Sequence, residues 1–199
     1  MAKHRTTQEV NAGSMADIAF LLLIFFLVTA SIETDSGLNR MLPQKNQEAV
    51  ADIKERNLFE ISINNADEIM ANREVIQLEV LRKGVTEFID NGGSNCEYCL
   101  GNGTDELSEH PGKAIISIKT ERNTSYPVYV SVQNEILGAY NHLRDRESLR
   151  LFGVPLEEME LEYYKEETNE ERKQLLKEHI EVIREMYPQK ILEPETVKN

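Results

Sequence analysis

The sequence has few basic residues for its length. Its 199 residues include 22 Lys and Arg against 35 Asp and Glu, which gives a formal net charge of −13. Residues 1–32 contain Lys3, Arg5, Glu9 and Asp17 and sum to zero, so the whole negative charge lies in the rest of the chain. An acidic surface repels a phosphate backbone, and we therefore expect no binding to nucleic acid.

Cysteine is also scarce. Only Cys96 and Cys99 are present, spaced as CxxC, and the nearest histidine is His110. Because there is no second cysteine pair, a four-ligand zinc site is poorly supported. A thioredoxin-type site needs CxxC where a strand meets a helix, whereas the flanking Gly/Asn-rich sequence is typical of a loop. A local disulfide or two unused thiols is the favoured interpretation, with metal binding and redox chemistry as alternatives.

The sequence shows no residue pattern typical of an enzyme. No glycine-rich phosphate loop follows a predicted strand, and the histidines are scattered along the chain. We therefore predict no enzymatic activity, no cofactor and no metal site.

Long apolar runs are absent except for one near the amino terminus. From Met15 to Ile32 the only ionisable residue is Asp17. A helix of this length spans roughly 27 Å, close to the thickness of a bilayer core. We predict a transmembrane helix over residues 12–32, with Asn11 as its N-cap. A cleaved secretory signal is the alternative, since a basic start precedes the run and small residues follow it, but the apolar region of a signal has no use for an acid.

Charge gives a weak indication of orientation. Lys3 and Arg5 precede the apolar run, and Arg40 and Lys45 follow it within about 15 residues. The short basic start favours a cytoplasmic tail over residues 1–11. The remainder beyond residue 32 is then periplasmic, and the chain is a single-pass protein of the bacterial inner membrane.

Asp17 is the residue of this segment that is energetically unfavourable in a membrane. A carboxylate in hydrocarbon costs at least about 2.5–3.5 kcal/mol. Helical spacing places Gly13, Leu21, Ile24 and Val28 on its side, and no Lys or Arg lies on the segment. Asp17 is therefore either protonated or turned toward the polar interior of another protein, where it can carry a proton. Its alternative is a passive position at the headgroup boundary.

The stretch "NAGSMADIAFLLLIFFLV" resembles the transmembrane signature of the ExbD/TolR family. An asparagine is followed six residues later by the aspartate and then by a run of leucine, phenylalanine and valine. The matching residues are Asn11, Asp17, Leu22, Leu23, Phe25, Phe26 and Val28. Leu42 and Pro43 also resemble the family, whereas Ser14 stands where many members have proline.

This resemblance implies a motor subunit driven by the proton motive force. Family members pair as homodimers inside a pentameric ExbB/TolQ-like channel protein, and their membrane aspartate takes up protons. Carried over to this chain, only Asp17 receives a role, as the proton carrier. The implied partner is a TonB-like periplasmic protein in transport across the outer membrane. The alternatives are a TolR-like subunit of a Tol-Pal type system whose periplasmic dimer binds peptidoglycan, and a secreted binding domain.

The remainder of the chain is predicted to be a periplasmic linker, residues 33–57, followed by a small α+β domain, residues 58–154. The pattern gives the order β-β-α-β-α(-β), which is similar to the family's periplasmic domain. Strands are predicted at Leu58–Ile63, 68–71 and Lys113–Lys119, and the last strand at Leu149–Val154. The first predicted helix covers residues 73–90, and both predicted helices have apolar stripes at helical spacing. The stripes are Leu78, Leu81, Val85 and Phe88, then Tyr129, Val132, Ile136, Tyr140 and Leu143.

Two segments lie outside the family pattern. The first is a loop insert over residues 91–112, which holds the cysteines. The second is a helical extension over residues 155–199, whose helix is predicted to begin at Thr168 and end before Pro188. Its apolar stripe is Leu176, Ile180, Ile183 and Tyr187. We expect this helix to pack on its own domain or to pair in a homodimer, and docking to an outside partner is the alternative.

Overall fold

The computed structural model describes residues 12–29, 53–93 and 96–194. The chain divides into two compact units, Met1–Asn39 and Arg40–Asn199. The described part of the first unit is one helix, α1 (Ala12–Thr29), and the second unit has a mixed α+β fold. The predicted N-cap Asn11 and most of the predicted linker lie outside the described residues.

Helix α1 covers most of the segment predicted to span the membrane. Within the part of the chain that the structure describes, no helix combines the length and the hydropathy that a membrane crossing requires. The membrane span over residues 12–32 stays a prediction.

The second unit is built on a five-stranded mixed sheet in the order β3-β2-β1-β4-β5. Its strands are β1 (Leu58–Ile63), β2 (Ile69–Ala71), β3 (Glu74–Ile76), β4 (Ile115–Thr120) and β5 (Ile191–Leu192). Strands β1, β2 and β3 pair antiparallel, whereas β4 lies parallel to both β1 and β5. The predicted strand at Leu58–Ile63 and the predicted hairpin that follows it are confirmed.

The main core lies between one face of this sheet and two helices, α2 (Leu78–Ile89) and α3 (Tyr126–Phe152). Strand alternation turns Phe59, Ile61 and Ile63 of β1 to the core, while Leu58, Glu60 and Ser62 remain half-buried. Both helices bury residues of the apolar stripes predicted for them. The predicted strand over Lys113–Lys119 is confirmed as β4, which begins two residues later.

Strand β3 corrects the prediction for residues 73–90, which assigned them all to one helix. Asn72 and Arg73 both have positive φ, 47° and 74°, and they form the two-residue turn that returns the chain as β3. Such turns need left-handed backbone at both central positions. Asparagine adopts the left-handed conformation readily, but arginine does so rarely, so the sequence did not indicate a turn at Asn72 and Arg73.

The strand predicted at Leu149–Val154 is wrong. Helix α3 continues through Phe152 and ends at Gly153, whose φ of 72° is the left-handed conformation common after a helix. The last strand is β5, at Ile191–Leu192, after two further helices, α4 (Leu156–Tyr164) and α5 (Glu170–Met186). A local pattern could not locate a two-residue strand so far along the chain.

The extension packs on its own domain, which confirms one of the two arrangements expected for it. Helices α4 and α5 bury a small cluster, formed by Leu156, Met159, Leu176, Ile180 and Ile183. Tyr187, at the end of α5, reaches the main core instead. Asn169, not Thr168, caps α5, because its side chain accepts the Arg172 N–H at 2.8 Å. Helix α4 was not predicted.

Candidate functional site

Asp17 lies within α1, five residues after the helix begins. All twelve residues whose side chains are described on this helix, residues 15–26, are exposed. Every one of them other than Asp17 is apolar. Among the described side chains of α1, Asp17 thus carries the single carboxyl group on an exposed and otherwise apolar stretch.

The neighbours of Asp17 along its helical face are apolar as well. Leu21 and Ile24, four and seven residues away, are 59% and 43% exposed. No Lys or Arg occurs between residues 12 and 29, so α1 itself supplies no counter-charge. Any cation that pairs with Asp17 must therefore come from outside this helix.

The second unit contains a polar cluster that the sequence did not predict. We call it the Asp90 network, and it consists of Asp90, Tyr98, Arg146, Glu147 and Tyr187. Arg146 donates to both carboxylate oxygens of Asp90, at 2.6 and 2.9 Å, and its Nε to Glu147 at 3.1 Å. The Tyr187 hydroxyl donates to Asp90 Oδ1 at 2.9 Å. The network therefore ties the end of α2 to α3 and to the end of α5.

Burial and pairing shift the pKa values of side chains in the Asp90 network and of Arg144 beside it. Burial raises the pKa of the Tyr187 hydroxyl, and the neighbouring Asp90 carboxylate raises it further. Hydrogen bonding to Asp90 raises the pKa of the Arg146 guanidinium. Arg144 behaves differently, since burial lowers its pKa to about 10 while it donates to the Tyr187 carbonyl at 3.0 and 2.6 Å. The tyrosines thus stay neutral and Arg146 stays charged near neutral pH.

The insert over residues 91–112 is anchored by Asn91, which is 1% exposed. Its side-chain amide donates to the carbonyls of Thr104 and Ser108, both at 2.9 Å, and its oxygen accepts the Thr104 N–H at 2.9 Å. A disulfide joins Cys96 and Cys99, whose Cα atoms are 5.4 Å apart. Among the interpretations proposed for the two cysteines, the structure confirms the local disulfide.

Gly101 packs against the backbone at the end of α2. Its N–H donates to the Asp90 carbonyl at 2.9 Å, and a Cβ at this position would lie 2.5 Å from both the Asn91 Cα and that same oxygen. Because these are backbone atoms, a side chain at this position would displace the insert.

Gly101→Ala is expected to destabilise the second unit by about 1–3 kcal/mol, the usual cost of overpacking a tight site. Gly84→Ala is the matched control, because the added Cβ would meet only Phe59 Cζ at 3.8 Å. That change in a helix interior should stabilise by up to about 1 kcal/mol. Urea unfolding of the full chain in detergent measures both, and equal effects would contradict the described packing.

Two ionisable side chains of the insert, Glu109 and His110, have shifted pKa values. His110 Nδ1 accepts the Gly112 N–H at 3.0 Å, so it acts as a neutral ring, and burial followed by the Lys113 charge lowers its pKa. Glu109 accepts from Lys54 at 2.6 Å and from Lys113 at 2.8 Å. Hydrogen bonds from Lys113 and Lys54 lower the pKa of Glu109 to about 2.

We expect stability to fall in two steps as the pH decreases. The pKa of His110 is lower in the folded chain, so the unfolded chain binds the proton first, and stability is lost below about pH 6.5. The depressed pKa of Glu109 contributes stability above about pH 4.5 that is lost toward pH 2. His110→Asn keeps an acceptor but cannot titrate, so only the upper step should disappear from unfolding midpoints measured against pH. Persistence of that step would assign it to another group.

The sequence predicts a role for Asp17, which stays a prediction, and gives no indication of the Asp90 network. The members of the network are 1 to 97 positions apart in the chain, and three of the five, Asp90, Arg146 and Glu147, are residue types that are common on surfaces. In the described ranges, no group of three or more His, Cys, Asp or Glu residues is arranged to hold a metal ion.

Comparison with known families gives one match. The family model described as "Biopolymer transport protein ExbD/TolR" matches residues 3–141, which includes α1 and the second unit as far as the middle of α3. No curated protein matches the chain at a significant level.

Proposed function

The chain belongs to the ExbD/TolR family of biopolymer transport proteins, and we propose that it is the proton-carrying subunit of an inner-membrane motor. The family is membrane-anchored, helps to energise biopolymer transport and works with ExbB/TolQ-type partners. In our proposal, residues 12–32 cross the inner membrane once, residues 1–11 are cytoplasmic and the second unit is periplasmic. Asp17 binds a proton inside a pentameric channel protein of the ExbB type, and two copies of the chain act together.

The observation that carries this proposal is the position of Asp17. It is the only ionisable residue on a helix of 18 residues, and its described helical neighbours are apolar. An isolated carboxyl group in lipid is costly, and such residues usually face a partner or a water-filled path. A channel protein that surrounds α1 would cover its exposed apolar side chains and supply that path.

The Cys96–Cys99 disulfide supports a periplasmic second unit. Disulfides persist in oxidising compartments such as the periplasm and are rare in the cytosol. The proposed action is mechanical coupling rather than catalysis, so the proposal includes no enzymatic step, metal or cofactor.

The finer proposal is that the motor drives a TonB-like protein in transport across the outer membrane. A TolR-like role, in which the periplasmic dimer binds peptidoglycan within a Tol-Pal type system, is the alternative within the same family. Pull-down with the full chain in detergent separates the two. Recovery of a TonB-like protein supports the first, and retention on purified sacculi without such a protein supports the second.

Replacement of Asp17 by asparagine tests the proton role itself. The amide has nearly the same shape but cannot release a proton. Proton flux through the complex of this chain with its channel partner, reconstituted in vesicles under an imposed pH gradient, should fall to the level of protein-free vesicles. Unchanged flux would refute the proposal.

A further inference from the structure

The four-residue ring closed by Cys96 and Cys99 lies at the surface of the insert. Both cysteines are half-buried, and they are bordered by exposed residues, Glu97 inside the ring and Leu100 directly after it. Leu100 is 73% exposed. The disulfide therefore lies near the surface of the second unit and not in its core.

Tyr98 is the residue that this ring positions. Its hydroxyl donates to the Met186 carbonyl at 2.9 Å, and its own carbonyl accepts from Arg146 at 3.1 Å. Its ring packs edge-on against Tyr187, with centroids 5.4 Å apart, and against His110 at 5.9 Å. Tyr98 thus contacts α3 through its carbonyl, and the end of α5 and His110 through its side chain.

The contacts of Tyr98 fall where the chain passes from α5 to β5. Met186 is the last residue of α5, and Tyr187 follows it. Three residues later the Lys190 carbonyl accepts the Ile116 N–H at 2.9 Å, and β5 begins at Ile191. Strand β5 has only two residues, so few hydrogen bonds to β4 hold it on the sheet. Its position therefore depends on the end of α5, which precedes it.

We propose that the Cys96–Cys99 disulfide is a reducible regulatory site whose partner is a dithiol, and that its state determines how firmly β5 is held on the sheet. One thiolate of the dithiol attacks a cystine sulfur and forms a mixed disulfide, and the second thiolate resolves it. The dithiol leaves as a disulfide, having given two electrons and two protons to Cys96 and Cys99. The opened loop gains backbone freedom, and Tyr98 loses the constraint that keeps it against Met186 and Tyr187.

The effect is expected to be local because the ring is small. A disulfide between residues three apart restrains the unfolded chain less than one that closes a long loop. Reduction should therefore leave most of the core unchanged and loosen the segment that Tyr98 contacts. Release of β5 would uncover the edge of β4, an edge able to pair with another strand. The proposal is independent of the role of Asp17.

Hydrogen exchange of the full chain in detergent, followed by mass spectrometry, tests the proposal. With dithiothreitol as the reductant, amides over residues 183–194 should exchange about three- to tenfold faster, while those of β1 stay unchanged. The Cys96→Ser/Cys99→Ser double variant should show the faster exchange without reductant and no further response to it. Tyr98→Phe should show it with the disulfide intact, because it removes the bond to Met186, and Glu97→Gln should behave as the parent.

Alkylation with iodoacetamide provides the second readout. The native chain should take up no label before reduction and two labels after it. Labelling of both cysteines without reductant would overturn the proposal, because the disulfide would not be formed. Unchanged exchange over residues 183–194 in chains that carry two labels would also overturn it.

Discussion

Asp17→Asn is expected to reduce energy-dependent function in cells to the level of a strain that lacks the chain. Asparagine preserves the size and polarity of the side chain, so α1 should form and assemble as before. What is lost is the ability to take up and release a proton, and nothing else on the helix can replace it, since Asp17 is its only ionisable residue. Growth that depends on outer-membrane uptake, measured with equal amounts of each variant, is the readout.

Two control variants separate the proton role from a loss of assembly. Asp17→Glu keeps the carboxyl group and moves it by one methylene, so partial function is expected. Glu9→Gln removes the nearest other acid in the sequence, which lies before α1, and should leave function unchanged. Co-purification with the channel partner should be equal for all of these variants. Full function in Asp17→Asn would show that the carboxyl group is passive.

The sequence predicted the elements whose apolar residues recur at regular spacing on one buried face. Strand β1 places Phe59, Ile61 and Ile63 on one face, and its bounds were predicted correctly. The apolar stripe of α2 was equally clear, although its start was placed too early. In both elements the buried residues recur at the spacing of a strand or a helix, and this spacing is visible in the sequence alone.

The remaining elements depend on contacts between distant residues. Strand β5 is held by β4, where Ile191 pairs with Ile116, 75 residues earlier in the chain. A strand of two residues has no periodicity that could mark it in the sequence. In the same way, Asp90 and Arg146 have ordinary local surroundings in the sequence and meet only in the fold. The prediction for Asp17 needs no such contact, because the energetic cost of its carboxyl group is evident from the apolar residues next to it.

Arg146→Ala is expected to have the largest effect on the stability of the second unit. The Arg146 guanidinium bonds to Asp90, Glu147, the Tyr98 carbonyl and the Tyr187 hydroxyl. The side chains of Asp90 and Glu147 are 9% and 2% exposed, so truncation leaves two buried carboxylates without this partner. Breaking a buried pair costs about 3–5 kcal/mol, and we expect the lower end because Arg150 still pairs with Glu147 at 2.6 Å.

Arg82→Ala is the matched control, because Arg82 also bonds both oxygens of a carboxylate outside its own helix, that of Glu135 on α3, at 2.8 and 3.2 Å. Its side chain is 52% exposed, so its loss should cost no more than about 1 kcal/mol. Urea unfolding of the full chain in detergent, followed by circular dichroism, measures both variants. The two variants are expected to differ in the free energy of unfolding because Arg146→Ala leaves buried carboxylates without a partner, whereas Arg82→Ala leaves a more exposed one. Arg146→Lys, which keeps the charge but not the two-pronged contact with Asp90, should therefore fall between them, and equal losses for the two alanine variants would show that the Asp90 network is hydrated in solution.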